Sequence, residues 1–307
     1  MNQPSIRIEK ATRNFGTKGA ISNISFAINA GSIFGLLGPN GAGKTTTLRI
    51  CSTLLRPTSG KIYYNGEEFN ESKAFIRQKI AVMPQGNALD PFLNVRDNLK
   101  FYCKLRNIPS GEINKQMDQV IYSFGIKDIL DRSVFALSGG QFRRVQLART
   151  FLGKPEYVLL DEPTLGIDIQ GKMEIWKTIP MFVSENKCAV LLASNDLMEV
   201  ENICQEVGFI NSGKLLYQGK TNGLAKQNIV RLQIKLGQPF VPIENDPDYG
   251  ITIQKQSDYE LILTGREYDS AFFDILSKLS MQNHLLGIEE EKASLTDLFE
   301  KYGGKQE

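Results

Sequence analysis

The chain has 307 residues, 41% apolar and 23% charged, near the roughly 25% charged content of soluble globular proteins, and its length predicts about two domains. A formal net charge of +2 gives no field for nucleic acid, so no nucleic-acid partner is expected, and no basic run marks a membrane-surface patch. No apolar stretch approaches the ~20 residues of a membrane span, residues 1–5 carry no signal-peptide pattern, and the four cysteines at 51, 103, 188 and 204 lack metal-ligand spacing and read as reduced core thiols of a cytosolic protein.

The first informative segment is the apolar run at residues 32–37 (Ser-Ile-Phe-Gly-Leu-Leu), which reads as a buried parallel strand. Gly38-Pro39-Asn40-Gly41-Ala42-Gly43-Lys44-Thr45-Thr46 follows at once. Residues 45–54 then have helix length, with Leu48, Cys51, Leu54 and Leu55 on one side. Strand, glycine loop and helix is the context that a phosphate-binding loop requires. Gly38, Gly41 and Gly43 let successive N–H groups face phosphate oxygens with no Cβ in the way, and the helix N-terminus adds a favourable partial positive charge. Asn40, Lys44, Thr45 and Thr46 complete the predicted ATP-binding set of this loop. Lys44 supplies a point charge for the β- and γ-phosphates, and the Thr45 hydroxyl is a ligand for Mg²⁺.

Residues 86–150 read as mostly helical, with helices over 95–105 and 112–124. Leu137-Ser138-Gly139-Gly140-Gln141 is a glycine-rich turn opening another helix, with Val145, Leu147, Ala148 and Phe151 inward. Ser138 and the N–H groups of Gly139 and Gly140 therefore form a second anion-binding helix start. Arg143 and Arg144 either serve a phosphate or lie on a solvated helix face, and the second reading is preferred. Residues 157–160 (Tyr-Val-Leu-Leu) form a strand ending in Asp161-Glu162. Asp161 fits the Mg²⁺-holding aspartate of phosphate-loop NTPases, and Glu162 can accept a proton from the attacking water. A helix is expected over 172–185, kinked or ended early by Pro180. A strand at 189–193 leads to Ser194-Asn195-Asp196, and residues 211–214 make a hairpin turn.

Beyond about residue 225, Val230, Leu232, Ile234 and Leu236 alternate with polar residues as a half-buried strand, and 249–253 and 259–263 read as further strands. Ala271, Phe272, Ile275, Leu276 and Leu279 share one helix face. Residues 239–247, with three prolines, read as an exposed loop, and Ser294 to Asp297 as the cap of a last helix. His284, the only histidine in the chain, reads as structural.

Taken in order over residues 1 to about 220, these motifs resemble the nucleotide-binding subunit of ATP-binding cassette (ABC) transporters; LSGGQ is that family's signature. The resemblance implies an α/β phosphate-loop ATPase core with a mixed sheet and flanking helices over 1–225, and an inserted helical subdomain at about 86–150 that meets the membrane subunit. Residues 226–307 form a small C-terminal α/β domain. That tail resembles, more weakly, the one carried by drug-resistance-type exporter ATPases, with their Ser-Leu-x-Asp-x-Phe ending at residues 294–299.

The resemblance further implies a head-to-tail dimer, homo- or heterodimeric, with each ATP between Lys44 of one subunit and Ser138, Gly139, Gly140 and Gln141 of the other. Phe15 would stack on adenine, where Tyr is commoner in the family; from the sequence alone a core role is as good a reading. Gln85 would link the γ-phosphate to the helical subdomain and join Thr45 and Asp161 at Mg²⁺. Asp168, in Gly166-Ile167-Asp168, would lie on the loop crossing the interface. Glu162, Gln85 and Asn195 form the catalytic set. Asn195 departs from the pattern: the family has a histidine there, and asparagine is shorter and carries no proton near neutral pH.

The function implied is that of an ATP-hydrolysing subunit, cytoplasmic and peripheral on the inner membrane face, that powers a separately encoded transmembrane permease, an exporter by preference. Two alternatives stay open: an ATP-binding switch with little hydrolysis, and a soluble ABC ATPase outside transport.

Overall fold

The structure is a computed structural model that describes residues 5–221, 230–243, 251–265 and 270–291. In the first unit, β1 (Ile6–Phe15) and β2 (Lys18–Ile28) form a hairpin. β3 (Ile33–Leu37) runs through the glycine loop into α1 (Lys44–Cys51). β4 (Ser59–Tyr64), β5 (Glu67–Glu68) and a 3₁₀ stretch lead to β6 (Ile80–Met83). The helical part follows as α2 (Val95–Leu105), α3 (Ser110–Ser123) and α4 (Gly139–Phe151). β7 (Tyr157–Asp161), α5 (Ile169–Asn186), β8 (Ala189–Ser194), α6 (Leu197–Ile203), β9 (Glu206–Asn211) and β10 (Lys214–Lys220) complete the unit.

Two sheets result. One is antiparallel, in the order β2-β1-β4-β5; the other is mixed, in the order β10-β9-β3-β8-β7-β6. In the second, β9, β3, β8, β7 and β6 run parallel and β10 is antiparallel on β9. Every residue of β3, β7 and β8 is buried, which is why these strands are continuous apolar runs and not alternating ones. The core lies where the antiparallel sheet faces the mixed one: Ile8, Ile24 and Phe26 pack with Leu36, Leu159 and Leu191, and the rings of Phe26 and Phe34 stack at 4.7 Å between centroids. A separate ring cluster of Phe124, Phe151 and Phe182 packs the ends of α3 and α4 against α5.

Register fixes the position of the site. Leu37 at the end of β3 pairs with Ser194 of β8, Asp161 of β7 pairs with Ala193 of β8, and Met83 of β6 pairs with Leu160 of β7. The segments that begin at Gly38, Asn195, Glu162 and Pro84 therefore leave the carboxyl ends of four adjacent parallel strands, where open α/β sheets bind ligands.

Two expectations change. α1 ends at Cys51, and Leu54 is 77% exposed and not on the buried side. The chain turns away there, with Thr53 in a left-handed conformation at φ 61°. Of the two outcomes expected at Pro180, the early end does not occur: α5 continues to Asn186, and Ile175, Trp176, Ile179, Phe182 and Val183 on both sides of the proline are all buried, so packing outweighs the lost backbone bond.

A second compact unit spans the described residues 230–291. It holds β11 (Val230–Leu236), β12 (Thr252–Lys255), β13 (Glu260–Gly265), α7 (Ser270–Asn283) and β14 (Leu285–Glu291), with the sheet order β12-β13-β11-β14. Leu232, Ile234, Leu261 and Leu263 pack against Phe272, Ile275 and Leu279 of α7. The reading of residues 249–253 as a strand is shifted to Thr252–Lys255, and Tyr249 lies outside the described residues, as do 244–247 and the expected cap and last helix at 294–299. Among the described residues, no helix is long and apolar enough to cross a membrane.

Candidate nucleotide site

The α1 N-terminus has no side-chain cap and no acidic residue in its first turn, so its free N–H groups face the cleft unpartnered by side chains, an arrangement that suits an anion. Two glycines there have separate reasons. A Cβ on Gly38 would fall 2.1 Å from the Ile210 carbonyl oxygen, and Gly41 stands at φ 79° with open space where a side chain would project. Lys44 is only 6% exposed, and its ammonium donates to the carbonyls of Gly38 at 2.7 Å and Pro39 at 3.0 Å. It makes no ion pair among the described residues. Burial pushes its pKa down, against the pull of Glu162 and Asp161. A phosphate would return to this ammonium the counter-charge it lacks.

The carboxylates sit opposite. The Thr45 hydroxyl donates to Asp161 Oδ2 at 3.0 Å, and Gln85 Nε2 donates to Glu162 Oε2 at 2.7 Å. Burial raises the pKa of Asp161, with the Thr45 bond opposing and Glu162 adding to the rise. Glu162 has left-handed backbone, φ 50°, fixed by its N–H donating to the Ala193 carbonyl at 2.8 Å. A hydroxyl, a carboxylate and an amide offer only oxygen ligands, and no cluster of three or more His, Cys, Asp or Glu occurs among the described residues. That donor set fits Mg²⁺, which takes few protein oxygens and relies on phosphates and water for the rest. Asn195 Nδ2 lies 3.5 Å from Asn40 Oδ1, at the limit of a hydrogen bond.

Phe15, Asn40, Gly41, Gly43, Lys44, Thr45, Thr46, Gln85, Glu162 and Asn195 line one cleft of about 580 Å³, whereas Gly38 and Asp161 do not line it, and Asp161 is tied to it through the Thr45 hydroxyl. Phe15 is 49% exposed and carries the Arg13 guanidinium 4.8 Å from its ring centroid, which excludes the core reading. Ser138, Gly139, Gly140, Gln141 and Asp168 do not line the cleft. Ser138 caps α4 in a reciprocal box with Gln141, at 3.3 Å and 3.1 Å. Asp168 caps α5 by accepting from the Gly171 N–H at 2.7 Å.

A family model described as ABC transporter matches residues 21–165. Over 257 residues the chain is 32% identical to the daunorubicin resistance ATP-binding protein DrrA3 of Streptomyces coeruleorubidus, covering 82% of this chain and 81% of that one. The chain belongs to the ATP-binding subunits of ABC transporters. Similarity to the linearmycin resistance ATP-binding protein LnrL of Bacillus subtilis (strain 168) is 28% identity over 98% of both chains, and so reaches through the second compact unit. The solved dimer of the ATP-binding cassette MJ0796, in a post-hydrolysis state bound to ADP and Pi, matches with a TM-score of 0.63 at 22% identity, covering 70% of this chain and 98% of that one; this likeness shows the ABC fold.

The structure adds contacts in and around the cleft that the sequence does not announce. Lys18, opposite Phe15 in the hairpin, lines the cleft together with Gly19, Ala20 and Leu165; the turn residues Gly16 and Thr17 between two alternating strands were the available signal. Arg143 is half-buried, and its guanidinium donates to the Gln85 carbonyl at 2.9 Å and to Gln146 Oε1 at 3.0 Å. Arg144 pairs with Glu174 at 2.5 Å. Glu199, 1% exposed, accepts from the Thr164 hydroxyl at 2.6 Å, and burial raises its pKa. Lys172 holds Asp196 at 2.5 Å, which steadies the segment carrying Asn195.

Proposed function

We propose that this ABC subunit binds MgATP in the 580 Å³ cleft, hydrolyses it within a head-to-tail dimer, and so powers a separately encoded permease that works as an exporter. The observation that carries this reading is the convergence of the glycine loop, Asp161, Glu162, Gln85 and Asn195 at four adjacent strand ends. Lys44 and the α1 N–H groups would hold the phosphates, and Phe15 and Lys18 would flank the adenosine end. Thr45, Asp161 and Gln85 would hold Mg²⁺, which when bound neutralises charge on the phosphate oxygens. Glu162 accepts a proton from the attacking water, steered by the Gln85 amide, and Asn195 donates a hydrogen bond toward the γ-phosphate.

The signature supports the dimer. Ser138 and its glycines stand at a helix start away from the chain's own cleft, so an ATP contact for them requires a second subunit. Ser138→Arg is expected to leave ATP binding to the isolated subunit within about twofold while abolishing the ATP-bound dimer on gel filtration, since the guanidinium fills the space the second nucleotide needs. A normal dimer would contradict the head-to-tail arrangement. Export is supported by the names of the resistance relatives, and a peripheral place on the cytoplasmic membrane face would follow from the permease; co-purification with the product of a neighbouring permease gene tests both.

A second reading, an ATP-binding switch with slow hydrolysis, is favoured by Asn195, whose side-chain amide, among the described residues, reaches Asn40 at 3.5 Å. Asn195→His is expected to raise turnover several-fold, with ATP affinity held within about twofold. Positioned acid–base groups are worth roughly 100-fold or more, so partial recovery is measurable by phosphate release. Unchanged or lower turnover would show that Asn195 already serves the γ-phosphate.

A further inference from the structure

We infer that Arg143 is a positioning residue for Gln85, acting through a clasp in which Arg143, Gln146 and Arg149 of α4 hold the main-chain carbonyls of the loop after β6. This rests on the reading of Gln85 as part of the ATP site. The three side chains are spaced by three residues, so they lie along one ridge of α4. Arg143 donates to the carbonyl of Gln85 at 2.9 Å, Gln146 to that of Gly86 at 2.9 Å, and Arg149 to that of Ala88. The donors are themselves held. Gln146 is fully buried and accepts from Arg143 at 3.0 Å; the Arg149 guanidinium lies 4.7 Å from the Tyr102 ring centroid on α2.

No main-chain amide among the described residues reaches these three carbonyls, so the α4 side chains are their fixed partners. The planar guanidinium of Arg143 spans two acceptors at once, the Gln85 carbonyl and Gln146 Oε1, which a lysine ammonium on a flexible stem reproduces poorly. With its carbonyl fixed, Gln85 presents Nε2 to Glu162 at 2.7 Å. Burial lowers the pKa of Arg143, opposed by Glu162, Asp161 and Glu199, as befits a guanidinium on the rim of the carboxylate site.

The consequence reaches further than one loop. α4 begins at the signature Ser138, so the loop bearing Gln85 and the helix start bearing Ser138 are tied along a single helix. In a head-to-tail dimer, Gln85 serves the subunit's own ATP and Ser138 the partner's. The clasp therefore links the two nucleotide sites through α4.

Two measurements on the full chain test this. In hydrogen exchange without nucleotide, Arg143→Ala is expected to speed exchange of the amides of residues 86–89 about tenfold, the effect of losing one charge-assisted hydrogen bond; Arg143→Lys, which can still reach one carbonyl, falls between. Unchanged exchange in Arg143→Ala overturns the clasp. In steady-state ATP turnover, Arg143→Ala is expected to lower kcat about tenfold with ATP affinity within about twofold, and to lower it less than about twofold further in a Gln85→Ala background, because a residue acting through Gln85 has nothing left to position. Independent, multiplying losses overturn the positioning role while leaving the site reading intact. A Gln85→Ala variant with undiminished turnover overturns the site reading and the positioning role with it.

Discussion

Lys44→Ala is expected to weaken nucleotide binding by about 100-fold or more. The ammonium is the buried cation of the cleft, 6% exposed, and its present partners are two neutral carbonyls of its own loop. Hydrogen bonds to charged groups contribute roughly 1.5–3 kcal/mol each, and an ammonium engaging two phosphate groups makes at least two. Removing it also leaves those oxygens beside Glu162 and Asp161 without the buried ammonium that offsets their charge. The fold should survive the change. Burial already disfavours the charged lysine, so the apo variant should melt no lower than its parent. The thermal shift on adding ATP should vanish, because ligand stabilisation depends on ligand concentration over Kd and is about 2.7 kcal/mol at 100 times Kd. Calorimetric titration and a melting curve with and without ATP separate the two effects. An unchanged Kd would overturn the assignment of the cleft.

Glu162→Gln is expected to stop turnover and keep binding. The substitution preserves length and an acceptor for the Gln85 amide, now at 2.7 Å from Glu162 Oε2, and removes only the group that accepts a proton. General-base contributions are typically roughly 100- to 10,000-fold, so phosphate release should fall by at least about 100-fold while ATP affinity stays within about twofold. With hydrolysis blocked and the signature intact, an ATP-bound dimer should build up on gel filtration. Turnover equal to the parent's would remove Glu162 from the role of base.

The cleft was legible in the sequence because its chemistry is carried by short contiguous stretches. Gly38 to Thr46 and Asp161-Glu162 each combine a buried strand with the groups that follow it, and a strand end is a local property. Arg143 and Glu199 were not legible for the opposite reason. Their partners, the Gln85 carbonyl and the Thr164 hydroxyl, lie 58 and 35 residues away in the chain, and only the packing of α4 and α6 brings them together. A charged residue on a helix gives no sign in sequence of whether it faces water or a carbonyl. β14 escaped for another reason: Gly287 and the run Glu289-Glu290-Glu291 break the alternation, and the strand exists because β11 supplies its ladder of backbone bonds. The passage of α5 through Pro180 shows burial overriding a local preference, whereas Leu54 shows the reverse, a helix stopped short of an apolar residue that periodicity would have included.

On the proposed role of Glu162 as the base, its left-handed backbone sets folding against catalysis at one position. An L-residue with a Cβ held there costs about 1–2 kcal/mol relative to glycine, and the bond from its N–H to the Ala193 carbonyl holds it in place. Glycine would relieve that cost and asparagine part of it, but neither brings a carboxylate to the Gln85 amide. Selection for a more stable chain and selection for a chain that turns over ATP thus pull this residue in opposite directions. If Glu162 is the base, the glutamate kept in a left-handed conformation at the end of β7 is where the second pressure outweighs the first.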